Sequence, residues 1–463
     1  MKNSIVRIEK IELINFKNVG NGDIEFKNNI DKCEEYNPSA EILGIYGQNG
    51  SGKTALVNAC NFLKYLLAGL PIQDDAFNFI NIYSEDATVK SELYINAKKE
   101  EYIVNYEFTF KKIENKRVVI SKEKIGYSKK ENNEWASKIT LIDYDIDNQE
   151  EIFLPKYRYN EIISINKENI VNLKVAQRLA MDKKVSFIFS DEVKKIFASS
   201  KEQVDLNIIL ETLTYFARCN LFVIMNDHSG IISMNVLMPL SFRLEEKEQI
   251  TSGDIIVGLG GVSIISKPAY NILNMIVNQM NVVLKYIVPN LQIELFNYGE
   301  QHDEHGNQGV KVELLSVKEK AKLPIKYESE GIKKIISILS ALIAMYNNPS
   351  ICMVVDELDS GIYEFLLGEI LKVIEHGGKG QLIFTSHNLR PLEILNKDSL
   401  YFTTTNINNR YIRFSNVKTN NNLRSLYIRS INLGGQKEEL YEETNSIEIQ
   451  RAFRLAGEKF DAI

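Results

Sequence analysis

Polar and apolar positions alternate at the start of the chain. Ile11 and Leu13 alternate with polar neighbours, and Ile24 and Phe26 repeat the period after Asn21-Gly22. Residues 5–28 are therefore predicted to form strands joined at a turn. An apolar strand over 42–46 runs into a glycine-rich loop, 47–52. A helix follows, with Leu56, Cys60, Leu63 and Leu67 on one stripe, and Gly69 and Pro71 end it. Residues 88–142 alternate with period two over four runs, which predicts an antiparallel sheet with one solvated face. Residues 155–325 are mixed and mostly helical in pattern, without sustained heptads, so no long coiled coil is expected. Residues 284–322 return to strands around the polar loop GEQHDEHGNQG. A strongly apolar helix spans 329–346. A continuous apolar strand (351–355), a helix (361–376) and a second apolar strand (382–385) follow it, the mark of a parallel sheet. A strand pair, 400–402 and 411–414, precedes a polar tail.

This pattern predicts an α/β fold in three parts. Residues 1–150 would hold the first half of a phosphate-binding sheet and an antiparallel lobe. Residues 151–325 would form an inserted, mostly helical lobe. Residues 326–463 would supply the second half of the sheet and the tail. A length of 463 residues allows this many parts, and 44% hydrophobic with 25% charged residues is ordinary for a soluble globular chain. The net charge of -6 argues against a surface that coats nucleic acid, although a local basic groove is compatible with it. Cys33, Cys60, Cys219 and Cys352 form no CxxC pair and read as reduced thiols of a cytoplasmic protein. Charges interrupt the apolar residues of the N-terminus, so no secretory signal is expected, and no apolar run is long enough to span a membrane.

The chemistry is concentrated in short motifs. Gly47-Gln48-Asn49-Gly50-Ser51-Gly52-Lys53-Thr54 fits G-x-x-x-x-G-K-[ST] in full, between a predicted strand and a predicted helix. Glycines let backbone N–H groups turn inward onto phosphate oxygens, and the helix start adds its positive end. Lys53 would neutralise β/γ-phosphate charge and Thr54 would hold Mg²⁺. The strand over 351–355 ends in Asp356 and Glu357, a Walker B pattern. Asp356 would join the Mg²⁺ shell and Glu357 would polarise the attacking water. A strand followed by a solvated acidic turn is the plainer account of the same residues. Asp359-Ser360-Gly361 comes next, and Ser386-His387 closes the following strand, where a histidine can reach a γ-phosphate. Ser329, before the apolar helix, is an N-cap by position, and a capped helix start is also an anion site.

The order of P-loop, Ser329-Glu330-Gly331 before a helix, Asp356-Glu357, Asp359-Ser360-Gly361 and Ser386-His387 resembles the ABC-type ATPases. Within them, Asn15-Phe16-Lys17-Asn18 and GQNGSGKT are similar to the SMC/RecF-like group. The nearest likeness is to OLD-like and abortive-infection ATPases, including those of two-gene antiphage systems such as PARIS and Septu. Residues 423–427 and Gly434-Gly435 are similar to that subgroup's C-terminal end. The likeness covers about 1–70 and 325–430 and leaves the middle uncovered. It implies an ABC-type head that binds ATP and Mg²⁺. It also implies that Ser329 and Gly331 contact the γ-phosphate of an opposite subunit, with Asp359 as D-loop and His387 as H-loop. The signature departs from the family in reading Ser-Glu-Gly, followed by Lys333-Lys334. Gln177 is the candidate for the family's Q-loop glutamine. OLD proteins end in a Toprim nuclease, whereas only a short segment without a compact acidic cluster follows His387 here, so no nuclease is expected in this chain.

Other features carry two accounts. Lys111, Lys112, Lys116, Arg117, Lys122, Lys124, Lys129 and Lys130 could meet nucleic-acid phosphates or form the solvated face of a hairpin diluted by Glu114, Glu123 and Glu131. His302 and His305 lie in a polar loop, without a helix to present them to a metal. Three functions follow. The first is a head-to-head dimer or larger oligomer serving as the sensor ATPase of an antiphage system, with a phage protein or DNA as trigger and a separate nuclease as effector. The second is a DNA-maintenance ATPase of RecF type. The third is a nucleotide-gated scaffold with negligible turnover.

Overall fold

The structure is a computed structural model. It describes residues 4–26, 39–113, 117–148, 151–198, 204–246, 249–302, 306–414 and 422–458. Cys33, Glu114, Lys116 and His305 lie outside the described residues. The fold is α/β, built on two main sheets and a smaller β lobe.

The alternating N-terminal segments form one antiparallel sheet. Its order is Val19–Glu25, Ile5–Phe16, Asp86–Ala97, Glu100–Ile113, Arg117–Glu131, Ile139–Asp145, Phe153–Leu154, with Glu134–Trp135 paired to the fifth strand. The period-two pattern is read out directly. In Asp86–Ala97, Ala87, Val89, Leu93 and Ile95 are buried while most of their neighbours are partly open. The continuous apolar strands form the second sheet, in the order Leu221–Ile224, Cys352–Val355, Gln381–Thr385, Glu41–Tyr46, Leu400–Thr403, Tyr411–Ile412. All pairings in it are parallel except the last. Gln381 joins the two sheets. Its amide donates to the Ile8 carbonyl and accepts from the Ile8 N–H, both at 2.8 Å.

Helix Lys53–Leu67 lies between the sheets and is buried on nearly every side. Leu56, Cys60, Leu63 and Leu67 are inside as the stripe predicts, and so are Ala55, Val57, Ala59, Phe62 and Leu66. A helix apolar on all faces belongs in a core rather than on a surface. The opposite face of the parallel sheet is covered by helices Glu330–Asn347, Glu364–Gly377 and Leu423–Leu433.

The middle of the chain departs from a single inserted lobe. Its helices up to Val204–Cys219 share the core of the antiparallel sheet. Strand Leu221–Ile224 then enters the parallel sheet beside the Asp356 strand. From helix Asn226–Ser233, whose Ile232 joins it, the chain builds a separate unit. There the hairpin Leu237–Glu246/Gln249–Gly258, helix Lys267–Ile287 and a four-stranded sheet enclose their own core, which Ile336 and Leu339 of helix Glu330–Asn347 complete. Four residues, Leu-Phe-Val-Ile, are too short a run for periodicity to mark as a parallel strand.

Candidate nucleotide site

The glycine-rich loop leaves the centre of the parallel sheet and turns into helix Lys53–Leu67. Gly47 has φ +154° and Gly52 φ +102°. A Cβ on Gly47 would lie 1.6 Å from Thr403 Oγ1, so no side chain fits there. The loop is braced from behind. Ser51 Oγ donates to the Gln48 carbonyl at 2.7 Å, Thr403 Oγ1 donates to Ser51 Oγ at 2.5 Å, and the Tyr411 hydroxyl donates to the Gly52 carbonyl at 2.7 Å. Asn18 donates to the Gly50 carbonyl. Lys53 is buried, and its Nζ donates to the carbonyls of Gly47 (2.8 Å) and Gln48 (3.0 Å). Burial lowers its pKa, against the pull of Asp356, Glu357 and Asp359.

The carboxylates come from the neighbouring strands. Asp356 is buried, and its Oδ1 accepts from Thr385 Oγ1 at 2.6 Å and, more loosely, from Thr54 Oγ1 at 3.4 Å. The same Thr385 hydroxyl accepts the Glu357 N–H at 2.7 Å. Glu357 has φ +47°, a left-handed conformation uncommon for a residue with a Cβ. Thr385 thus sets both acids, and its place just before Ser386-His387 is the one sequence signal that could have revealed it. The Asp359 carboxylate accepts from the backbone N–H groups of His387 (3.2 Å) and Asn388 (3.0 Å), which fixes the loop carrying His387.

Asn49, Gly50, Gly52, Lys53, Thr54, Asp356, Glu357 and His387 line one cavity of about 650 Å³. Gly47, Gln48, Ser51 and Asp359 are not among its lining residues; they shape the loops that are. Sequence reasoning missed the far wall, Asn78 with Ile80–Tyr83 and Ile407. Ser329 and Gly331 lie outside this cavity. Ser329 caps helix Glu330–Asn347, accepting from the Ile332 N–H at 3.4 Å. Gly331 presses on Gly361, whose carbonyl would sit 1.9 Å from an added Cβ. The serine itself is exposed. Lys333 and Lys334 turn inward, donating to Asn235 (2.6 Å) and Ser229 (2.7 Å).

Gln177 is not among the residues lining this cavity. It sits on helix Asn169–Lys183 and hydrogen-bonds Tyr144. The segment that does follow the strand next to Cys352–Val355 is Met225-Asn226-Asp227, which lines a second, smaller cavity against Thr54 and Asp356.

A family model described as an AAA domain matches residues 10–252, more than half of the chain. The chain belongs to the AAA-domain family. A second AAA-domain model, whose description names the AbiEii toxin and type IV TA system, matches residues 241–393 of this AAA-domain chain. No curated protein matches its sequence. Among solved structures it is similar to an SMC head bound to the C-winged helix domain of ScpA. That likeness has a TM-score of 0.40 and 13% identity, covering 88% of this chain and 98% of the other. The SMC head domain from Thermotoga maritima gives 0.37 and 14%, covering 88% and 99%. The recombination mediator RecF with ATP gives 0.35 and 15%, covering 83% and 94%.

The basic stretch is paired with acids. Lys122 meets Asp145 at 2.9 Å, Lys124 Asp143 at 2.6 Å, Lys129 Glu100 at 3.2 Å and Lys130 Glu101 at 3.2 Å. Lys112 donates to the Ser84 carbonyl at 2.6 Å. Charge already neutralised within a sheet face offers little to phosphates. Cys60, Cys219 and Cys352 are free thiols, and burial pushes Cys60 up to about 12. No group of three or more His, Cys, Asp or Glu side chains suited to a metal occurs among the described residues, and no helix among them is long and apolar enough to cross a membrane.

Proposed function

We propose that this chain binds Mg·ATP in the P-loop cavity and hydrolyses it, with two copies completing each site. One observation supports this reading above the others. Lys53, Thr54, Asp356, Glu357 and His387, drawn from three neighbouring strand ends, converge on one cavity, while Ser329 and Gly331 are not among its lining residues, Ser329 exposed and Gly331 packed on Gly361. The first set carries the groups for phosphate, metal and water. Lys53 and the loop N–H groups hold the phosphates, Thr54 and Asp356 hold Mg²⁺, Glu357 orients the water, and His387 reaches the γ-phosphate. The second set has no nucleotide in its own chain to meet. A second copy, placed head to head, brings Ser329, Gly331 and the Asp359–Gly361 loop onto that cavity. ATP then closes the pair and hydrolysis reopens it.

The biological setting we favour is a bacterial antiphage system, in which this ATPase senses a phage protein or DNA and controls a separate nuclease. The match of residues 241–393 to a model whose description names the AbiEii toxin supports it. A RecF-type role in DNA maintenance would instead require DNA-stimulated hydrolysis with a steep salt dependence. The acid-paired lysines of the antiparallel sheet give it no support. A gated scaffold would show turnover far below the usual range of about 1–10³ s⁻¹.

The test is ATP hydrolysis and particle mass for the wild type and Glu357→Gln, side by side. The proposal expects the variant to be inactive in hydrolysis and to form a larger, stable assembly with ATP. Normal hydrolysis and a mass indifferent to ATP would remove both the Glu357 assignment and the pairing.

A further inference from the structure

The nucleotide cavity has a wall that the phosphate, metal and water groups leave unused. Its far side carries Ile80, Ile82, Tyr83 and Ile407, together with Asn78 and Asn81. None of these residues is charged. Ile82 and Tyr83 are 80% and 89% exposed, the two most open large apolar side chains among the described residues. Their backbone is nevertheless fixed. They are the central pair of a turn that the Ser84 N–H closes onto the Asn81 carbonyl at 3.0 Å. Asn81 Oδ1 also accepts the Tyr83 N–H at 3.0 Å. Asn81 is buried and ties the turn to the N-terminal strands. Its N–H donates to the Asn15 carbonyl and its Nδ2 to the Lys17 carbonyl, both at 2.8 Å. Lys112 holds the far end, donating to the Ser84 carbonyl at 2.6 Å.

An aromatic ring displayed on a fixed turn can be covered with little further loss of freedom. The cavity, at about 650 Å³, is of a size that takes a whole ligand rather than a phosphate chain alone. Lys53, Thr54, Asp356 and Glu357 make one end of it suit phosphate and metal. The uncharged end suits the flat face of a base. The edge of that base meets few groups free to read it. Asn81 has a bond at each end of its amide. Asn18 donates to the Gly50 carbonyl, and Asn49 belongs to the P-loop. The Lys17 ammonium lies 4.6 Å over the Phe79 ring, under the pull of Asp356, Asp75 and Asp227. Asn78 is exposed. Its amide joins a donor to an acceptor and turns over to exchange them. It therefore matches the Watson–Crick edge of adenine in one orientation and that of guanine in the other.

We propose that Ile82 and Tyr83 form a base wall that holds a purine by its face rather than by its edge, so that the site takes purine nucleoside triphosphates, ATP and GTP alike. The wall serves a nucleotide only if the P-loop reading holds, and it adds the class of substrate to that reading. Strong selection between bases needs polar groups that the wrong base leaves unpaired. Stacking is tolerant, because every base has a π-face. A pyrimidine covers less of the tyrosine ring and binds more weakly.

The test is isothermal titration calorimetry of the full chain in Mg²⁺ with ATP, GTP and inorganic tripolyphosphate, which has the phosphates and no base. Wild type should bind ATP and GTP within about tenfold of each other, since stacking does not depend on base identity. A larger preference for either purine overturns the proposal. Tyr83→Ala should weaken both nucleotides by about tenfold, the loss of one base–aromatic stack, and leave tripolyphosphate unchanged. The side chain is open to solvent, so folding is not at stake. Tyr83→Phe keeps the ring and should match wild type. Unchanged ATP binding in Tyr83→Ala, or tripolyphosphate weakened along with ATP, overturns the base wall. Lys53→Ala tests the underlying reading separately and should lose ATP and tripolyphosphate together. If it binds both like the wild type, the P-loop reading itself fails. If only the base wall fails, Lys53→Ala behaves as expected and Tyr83→Ala alone does not.

Discussion

Replacing Thr385 with valine removes one hydroxyl and little else. The residue is fully buried at the end of strand Gln381–Thr385, and valine has its shape. Two bonds go with the hydroxyl: the donation to Asp356 Oδ1 at 2.6 Å and the acceptance of the Glu357 N–H at 2.7 Å. A hydrogen bond to a charged group contributes about 1.5–3 kcal/mol, and an orphaned buried N–H costs about 1–3 kcal/mol. Glu357 also holds a left-handed backbone at φ +47°, a conformation that costs about 1–3 kcal/mol and persists only while its surroundings enforce it. Without Thr385 the peptide after Asp356 is free to relax, and Glu357 leaves the place at which the proposed function has it orient water. If about 3 kcal/mol of that organisation is lost from the transition state, kcat falls about a hundredfold. The P-loop contacts are untouched, so ATP affinity should change by less than about threefold, a shift of well under 1 kcal/mol. A steady-state ATPase assay with a fluorescent-nucleotide titration separates the two effects. Thr385→Ser keeps the hydroxyl and should stay close to wild type. A valine variant that turns over within a few-fold of wild type, or a serine variant as damaged as the valine, would refute this account.

Other outcomes follow from the same geometry. Lys53→Ala should abolish ATP binding and every ATP-dependent change in mass, and full ATPase activity in it would sink the P-loop assignment. Gly331→Ala would set a Cβ 1.9 Å from the Gly361 carbonyl and lift the helix start off that loop. Ser329→Arg would fill the same face without moving it. Both should keep single-chain ATP binding and lose ATP-driven pairing in the Glu357→Gln background, as read by mass photometry. Glu123 is buried beneath Tyr106, Ser186 and the Phe187 N–H, and burial raises its pKa. A raised carboxyl means that folding favours the protonated form. Its contribution to stability is therefore full below the ordinary carboxylate pKa and is lost as pH rises through the raised value. Glu123→Gln should flatten that part of the pH dependence of the urea midpoint.

Much of the site was legible because it is written in contiguous residues. A P-loop is a local object: glycines for the bend, Lys53 and Thr54 at the helix start, all within eight positions. The same holds for an apolar strand that ends in Asp356-Glu357, and for the alternation that built the antiparallel sheet. Local sequence sets backbone conformation and the faces of an element, and these needed no partner to be read. Tertiary pairing decided the rest. The position of Thr385 before Ser386-His387 marks it as near the site, but that its hydroxyl joins Asp356 to Glu357 is decided only where two strands distant in sequence lie in parallel register. Nothing near Leu221 marks a strand of the nucleotide sheet, since four apolar residues gain that identity only beside Cys352–Val355. Gln177 is likewise placed by packing, beside Tyr144 and outside the lining of the nucleotide cavity, while Asn226 and Asp227 line the smaller cavity with Thr54 and Asp356. The burial of Gly331 against Gly361, beside an exposed Ser329, is likewise a property of packing rather than of their own sequence. The chain's sequence determined which chemical groups were present and how each short segment would bend. Only the folded register, set by long-range strand pairing and burial, decided which of those groups meet.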